Sequence, residues 1–142
     1  MALKQIYHGS KEYEHMIALR NEVLRKPIGL SFSPEELDRE KDDILIGAFD
    51  DDKLIGCCFI TKLDNQCGKL RQMAVQKNKQ GIGIGESMMA FAENIARDRG
   101  YKLLMMHARD SAIGFYEKYG YKVKGEKFTE INLDHHVMEK RL

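Results

Sequence analysis

Gly81, Gly83 and Gly85 alternate in Gln80-Gly81-Ile82-Gly83-Ile84-Gly85, and the residues after them have a helical pattern. From Ile84, the apolar residues Met88, Phe91, Ala92, Ile95 and Ala96 recur at i+4, i+7, i+8, i+11 and i+12. That is one face of a helix at about 3.6 residues per turn. The stretch before the loop, Lys69-Leu70-Arg71-Gln72-Met73-Ala74-Val75, reads as a strand. A strand, a glycine loop and a helix start aim several backbone N–H groups at one spot, beside the positive end of a helix dipole. Such an arrangement binds anions, and phosphate or pyrophosphate suits it best. A P-loop needs Gly-Lys-Ser/Thr after its last glycine, whereas Gly85 is followed by Glu86 and Ser87. A dinucleotide fingerprint runs G-x-G-x-x-G close against its strand, whereas these glycines run G-x-G-x-G several residues past Val75. The competing reading is a glycine turn that only lets a helix pack close to a sheet.

The elements around this loop follow from periodicity and punctuation. Leu3 to His8 reads as a first strand. Ser10 is an N-cap for a helix carrying Tyr13, Met16, Ile17, Arg20, Val23 and Leu24. That helix should end near Arg25, because Pro27 disfavours helical geometry in Lys26 and Gly29 follows. Ser33-Pro34-Glu35-Glu36 opens a second helix with a serine cap, a proline at the first position and acids near the positive dipole end. The charged residues from Glu35 to Asp43 read as the solvated face of this short helix. Ile44 to Phe49, Lys53 to Leu63 and Lys69 to Val75 read as antiparallel strands joined by the short turns Asp50-Asp51-Asp52 and Asp64-Asn65-Gln66.

Gly100 should close the long helix, and Lys102 to His107 reads as the next strand. A right-handed crossover makes it parallel to the strand ending at Val75. Asp110 or Ser111 can cap a further helix that carries Ala112, Phe115, Tyr116 and Tyr119 and stops at Gly120. Tyr121-Lys122-Val123 is strand-like, and His135 to Arg141 is expected as a final edge strand. The expected fold class is α/β, a mixed sheet of antiparallel strands followed by a parallel pair, with helices on both faces. Residues 1–142 are expected to form a single domain.

Composition narrows the partners. Lys plus Arg number 23 against 22 for Asp plus Glu, which gives no electrostatic reason to expect nucleic acid or an anionic membrane. No run approaches the ~18 apolar residues of a membrane span, and the start has no signal-peptide core, so the cytoplasm is the expected location. Cys57 and Cys58 are adjacent on a strand and point to opposite faces, and Cys67 sits by a turn. Without a CxxC spacing, and with His107 apart from His135 and His136, no zinc site or other metal is expected.

Two runs together carry a resemblance. Gln80 to Gly85 fits Q/R-x-x-G-x-G after a strand, and Ser111-Ala112-Ile113-Gly114-Phe115-Tyr116-Glu117-Lys118-Tyr119-Gly120-Tyr121 fits A-x-x-F-Y-x-x-x-G-F/Y. In this order and at this distance they resemble motifs A and B of the GCN5-related N-acetyltransferases (GNAT). The stretch from Gly125 to Lys140 is similar to the ending of one bacterial branch of that family, and the likeness covers essentially the whole chain.

The resemblance implies an acyl-CoA N-acyltransferase fold in which acetyl-CoA lies where two parallel strands splay, those ending at Val75 and near His107. It implies that backbone groups of Met73, Ala74 and Val75 pair with the pantetheine arm, while Gln80, Gly81, Ile82, Gly83, Ile84, Gly85 and Glu86 surround the pyrophosphate. Ser111 and Phe115 would complete the cofactor contacts. The Val75 N–H would polarise the thioester carbonyl, and Tyr116 would protonate the departing thiolate. The reaction implied is transfer of the acetyl group of acetyl-CoA to a primary amine, on a small-molecule acceptor, and a homodimer is compatible with it.

No carboxylate stands on Lys69 to Met73, so Glu36, Glu130, His135 and His136 are base candidates by chemistry alone, beside a water relayed from a carboxylate. Arg20, Arg25 and Lys26, ahead of Pro27-Ile28-Gly29, form a cationic cluster that could meet a carboxylate or phosphate on the acceptor. The alternatives are a CoA-binding sensor or scaffold without catalysis, and a nucleotide-binding module.

Overall fold

Both predicted serine caps form. Ser10 Oγ accepts the Tyr13 N–H at 3.2 Å and starts α1 (Lys11–Arg20). Ser33 and Glu36 make a reciprocal capping box that starts α2 (Pro34–Asp38). In the computed structural model, which describes residues 1–142, the chain past Arg20 does not stop. It continues through a π-helical turn, Asn21–Arg25, and a 3-10 turn, Lys26–Ile28, and ends on Gly29 in the left-handed conformation. Widened turns of this kind displace a helix axis and often lie at functional sites.

Seven strands form one sheet: β1 (Ala2–Ile6), β2 (Ile44–Asp50), β3 (Lys53–Lys62), β4 (Cys67–Val75), β5 (Leu103–Arg109), β6 (Lys122–Glu130) and β7 (Leu133–Arg141), in the order β1-β2-β3-β4-β5-β7-β6. All neighbours are antiparallel except β4 and β5, which α3 (Ile84–Asp98) joins by the expected crossover. One expectation needs correction. β7 is not the edge strand but lies between β5 and β6. Ile131 and Asn132 both take left-handed backbone and make a two-residue hairpin, so β6 folds back outside β7. The new edge is guarded by Lys122, Lys124, Glu126 and Lys127, charges that discourage pairing with another chain.

Helices cover both faces. On one side the predicted stripe of α3 buries Ile84, Met88, Ala92, Ile95 and Ala96 against Ile46, Cys58, Leu70, Leu104 and Met106. On the other, Tyr13 and Met16 of α1 pack with Leu45, Cys57, Phe59 and Ala74. Cys57 and Cys58 do point to opposite faces. Burial pushes the Cys57 thiol up to about 12, and Cys58 higher still, so both behave as small apolar groups. No helix is long and apolar enough to cross a membrane.

The Glu35 to Asp43 stretch is not merely a solvated face. Glu40, in the 3-10 turn after α2, is 3% exposed and forms a bidentate pair with Arg20, which is 0% exposed. The bonds are Nη1–Oε1 at 3.0 Å and Nη2–Oε2 at 2.5 Å, and the Tyr13 hydroxyl donates to Oε1 at 2.6 Å. The Arg20 guanidinium lies between the Phe32 and Phe59 rings, 4.3 and 4.5 Å from their centroids. Arg20 is therefore no acceptor-binding cation, since its charge is consumed inside the fold.

Removing one partner of such a pair leaves an uncompensated buried charge, at a typical cost of roughly 3–5 kcal/mol. Glu40→Ala is expected to lower the unfolding free energy by about that amount in denaturant titration. A loss under about 1 kcal/mol would show that the pair adds little to stability.

Candidate active site

Gln72 is a non-glycine residue in the left-handed region, with φ 57°. It marks a bulge in β4, because Cys57 to Phe59 on β3 faces Ala74 to Arg71 on β4, two steps against three. A bulge bends its strand and increases the local twist. The effect is visible on the next strand. β4 and β5 pair only at Cys67–Leu103, Gly68–Leu104 and Lys69–Met105, and then separate. From Leu70 onward β4 presents an unpaired edge to a gap, as β5 does from Met106.

Strand alternation decides which groups face that gap. The Gln76 N–H donates to the Ile55 carbonyl at 2.8 Å, so the Val75 N–H turns the other way, into the opening. Met73 alternates with Val75. Ala74 pairs with Cys57 of β3 and buries its methyl on the α1 side, so it offers nothing to the gap. The side chains of Met73 and Val75 pack on the α3-side core.

Beyond Val75 the glycine loop leads into α3. Gly81 and Gly83 take φ of 79° and 89°, a region that side chains disfavour, and Gly83 is the N-cap residue. Unlike α1 and α2, α3 has no side-chain cap. Its first helical bond to a loop residue is Ser87 N–H to the Gly83 carbonyl at 3.0 Å, which leaves the N–H groups of Ile84, Gly85 and Glu86 without a helical acceptor. An anion is the natural partner for them. The Ile84 side chain is buried, so only its backbone is available, whereas Ile82 is exposed. The Gln80 amide donates to the Val75 carbonyl at 3.0 Å and ties the loop to the strand end. A Cβ on Gly85 would meet the Phe115 ring at 3.4 Å, an ordinary contact, which places α4 (Ile113–Lys118) beside the start of α3 without requiring the glycine for it. Glu86 accepts the Tyr119 hydroxyl at 3.0 Å across the same contact. Ser111 is exposed in a 3-10 turn, Asp110–Ala112, and caps nothing; Asp110 instead bonds His136 at 2.8 Å.

Tyr116 lies beneath, 8% exposed, its ring edge-on to Phe115 and Tyr121. Its hydroxyl bonds no protein group, yet it is not among the sealed, unpartnered polar atoms, which are Asn21 Oδ1, Asp43 Oδ2 and Gln76 Oε1. Burial, and then the neighbouring Cys58, raises its pKa and keeps the phenol protonated.

The opposite face of the gap carries a constellation that the sequence did not reveal. Leu104, Met106 and Ala108 face α3, so Met105, His107 and Arg109 face away from it. Continuing the parallel register sets His107 level with Arg71, just past the last paired residues. Two extra residues in β6 between Lys124 and Phe128 bend that strand, and it reaches across β7 to β5. The Phe128 ring then sits 5.0 Å from His107, and Glu130 Oε2 lies 2.8 Å from His107 Nδ1. Burial pushes the Glu130 carboxyl up, but its bond to His107 and the charges of His107 and Lys69 outweigh that and hold it below the ordinary range. The shorter contact, to the ionised carboxylate rather than to Lys69, favours the tautomer with its proton on Nδ1, which leaves Nε2 as the acceptor nitrogen. Lys69 Nζ stands 3.3 Å from the same nitrogen; burial and then Arg71 lower its pKa, against the pull of Glu130.

Two of the other proposed bases are engaged within the fold. Glu36 caps α2 and binds Arg25 at 2.9 Å; His135 is buried, with Nδ1 bonded to the Leu133 carbonyl and its ring over Phe128. His136 makes a carboxylate pair like that of His107, with Asp110 at 2.8 Å, but it stands opposite Ala108, on the α3 face. Arg25 also stacks on Phe32 at 4.1 Å, and Lys26 forms only an exposed pair with Glu22. No group of three or more His, Cys, Asp or Glu side chains converges as a metal site would require. In the sequence, His107 stands out only as a possible metal ligand. The signal that could have singled it out is the alternation Met105-His107-Arg109 against Leu104-Met106-Ala108.

The family described as Acetyltransferase (GNAT) domain matches residues 12–142. The uncharacterized N-acetyltransferase YjcF of Bacillus subtilis is 31% identical over 125 residues, covering 86% of this chain and 87% of that protein. Among solved structures, an acyl-CoA N-acyltransferase from Pseudomonas aeruginosa superposes with a TM-score of 0.83 at 19% identity, covering 98% of both chains. An aminoglycoside 6'-N-acetyltransferase complexed with coenzyme A superposes at 0.84 with 16% identity, over 99% of this chain and 97% of that one. These two likenesses bear on the fold alone. Because the domain match runs from Glu12 to the last residue, with a relative alike over most of both sequences, this chain belongs to the GNAT acetyltransferase family.

Proposed function

We propose that this protein transfers the acetyl group of acetyl-CoA to a primary amine of a small molecule, in the cytoplasm. The observation that carries the reading is the early end of the β4–β5 ladder, which opens beside an uncapped helix start. A pantetheine arm, itself an amide chain, would pair with the free edge at Met73 and Val75 as an added strand. Its pyrophosphate would lie on the N–H groups from Gly81 to Glu86. The thioester would then meet the Val75 N–H, with Tyr116 on the α3 side and His107 on the other.

The chemistry follows from that placement. The acceptor arrives as an ammonium and must lose a proton before its nitrogen can attack. His107 Nε2 takes that proton, and Glu130 balances the imidazolium that forms. The amine lone pair attacks the carbonyl carbon, whose oxygen gains charge towards the Val75 N–H. The C–S bond breaks, the thiolate takes a proton from Tyr116, and the second proton of the attacking nitrogen, shed as the amide forms, returns through water to the tyrosinate. Because the depressed Glu130 stays ionised throughout the neutral range, the pair persists wherever the rate would be measured.

Binding is tested first. Acetyl-CoA at about 100 times its dissociation constant should stabilise the fold by roughly 2.7 kcal/mol through mass action. A melting temperature that does not move, with no heat of binding, would end the reading.

Tyr116→Phe keeps the ring and its packing, so acetyl-CoA should bind as before. Burial makes this phenol a weak acid, so we expect the low end of general-acid catalysis, a loss of about 10²-fold in kcat with KM little changed. Full kcat in the variant, with chemistry limiting the rate, would make Tyr116 a packing residue. A wild type that bound acetyl-CoA but transferred nothing to amines would instead favour the sensor or scaffold reading.

His107→Gln should lower kcat/KM by about 10²-fold and remove the acid limb of the pH profile, where protonation of the base stops the reaction. The unmodified limb in that variant would assign the base to another group or to water.

A further inference from the structure

Arg109 is the last residue of β5, at the open end of the gap, and it is half-buried. Its Nη2 donates to the Leu24 carbonyl at 2.9 Å, the single side-chain hydrogen bond it makes. No carboxylate lies within ion-pair distance of it, although nine other lysines and arginines have one: Lys4, Arg20, Arg25, Lys26, Lys79, Arg97, Lys124, Lys127 and Lys140. The charge that does act on it is like in sign. Burial and then Arg25 lower its pKa, with no acid opposing them. Around it stand Arg25, whose Nη2 is committed to Glu36 at 2.9 Å, and the cross-strand partner His135, whose Nδ1 is committed to the Leu133 carbonyl.

A half-buried guanidinium under the charge of another, with most of its five N–H donors unused, is an unfavourable arrangement in the free protein. An anion supplied from outside relieves it. The Arg109 fork suits the two oxygens of a carboxylate, or two oxygens of a phosphate. The location fits an acceptor, because Arg109 and His107 share one face of β5, two residues or about 7 Å apart. Lys69 and Arg71, the other cations on this face without a carboxylate in ion-pair contact, make a polycationic amine still less favourable there.

We propose that the amine acceptor carries an oxyanion, a carboxylate or a phosphate, which Arg109 seats at the open end of the gap beside Arg25 while the amine reaches His107. This inference rests on the acetyltransferase reading. It assigns the acceptor's class by charge, which that reading leaves open.

The test is a panel of matched amines assayed by free-thiol release at saturating acetyl-CoA. Glycine, β-alanine and γ-aminobutyrate present a carboxylate at increasing distance, and O-phosphoethanolamine presents a phosphate. Propylamine and ethanolamine lack the anion, and spermidine carries extra positive charge. We expect at least one amine bearing an oxyanion to exceed its counterpart without one at least tenfold in kcat/KM, with the better of carboxylate and phosphate naming the anion. In Arg109→Gln the ratio should collapse toward one, mainly through a higher KM for the anionic amine. Acetyl-CoA-induced stabilisation in that variant checks that the cofactor site is intact, and if it does not fold the wild-type panel alone decides. Equal or better turnover of propylamine, ethanolamine or spermidine overturns the proposal. So does an unchanged ratio in Arg109→Gln, or transfer to no panel member by a protein that binds acetyl-CoA. Absence of acetyl-CoA binding is a different failure, since it removes the underlying acetyltransferase reading itself.

Discussion

Arg20 and Glu40 form the interaction on which the rest of the architecture rests. A fully buried ion pair is costly to desolvate, and only close geometry with every remaining donor and acceptor engaged offsets that cost. Here the carboxylate receives both Arg20 nitrogens and the Tyr13 hydroxyl, and two phenylalanine rings cover the guanidinium. Its Nε also donates to Gln72 Oε1 at 3.3 Å. Gln72 is the residue held at positive φ in the β4 bulge, a conformation that costs a side-chain-bearing residue about 1–2 kcal/mol. Its carbonyl also accepts the Cys57 thiol at 3.5 Å. One network thus joins α1, the turn after α2, β3 and the bulge. The bulge in turn turns β4 away from β5. The opening between β4 and β5 is maintained from the far side of the sheet.

That arrangement divides the labour between two faces. The α3 face offers neutral N–H groups and a buried phenol, suited to a phosphate-bearing carrier and its thiolate. The opposite face offers His107 with Glu130, and the cations Lys69, Arg71 and Arg109, suited to an amine and whatever charge it bears. The gap between the strands is where the two meet. Both faces depend on irregular strands. The bulge at Gln72 opens β4, and the two extra residues near Gly125 bend β6 until Glu130 reaches across a whole strand. Regular strands would leave β4 and β5 zipped and Glu130 at the rim.

Local rules made much of this legible in the sequence. Serine caps, the α3 stripe, the glycine spacing and the crossover all depend on residues close together in the chain, and they appear as read. What the sequence concealed depends on distance. Arg20 and Glu40 are 20 residues apart in two elements that look solvated, and nothing local says that their charges meet inside. The bulge is carried by Gln72, with no glycine to mark it. The placement of β7 inside β6 follows from a hairpin without glycine, Ile131-Asn132, where an edge strand had looked equally natural. The Glu130–His107 contact required both the bend and that strand order, and so neither residue alone could reveal the pair.

Several departures from ordinary folding rules gather at one place. An uncapped helix, a side chain in the left-handed region, two unpaired strand edges, a phenol without a partner and a half-buried arginine within reach of another's charge all surround one gap. Elsewhere the same chain caps α1 and α2, charges the exposed edge strand β6 and pairs its most buried cation, Arg20, with Glu40. Local and global preferences agree across a foldable sequence, and conflicts between them concentrate where function requires them. Each defect here is an unmet demand of known chemistry: N–H groups for an anion, an open edge for an amide chain, a proton donor for a thiolate, a guanidinium for an oxyanion. A ligand that met all of them would be a phosphorylated amide-chain thioester on one side and a negatively charged amine on the other. The stability that these groups forgo in the free protein is the preorganisation that such a pair of substrates would use.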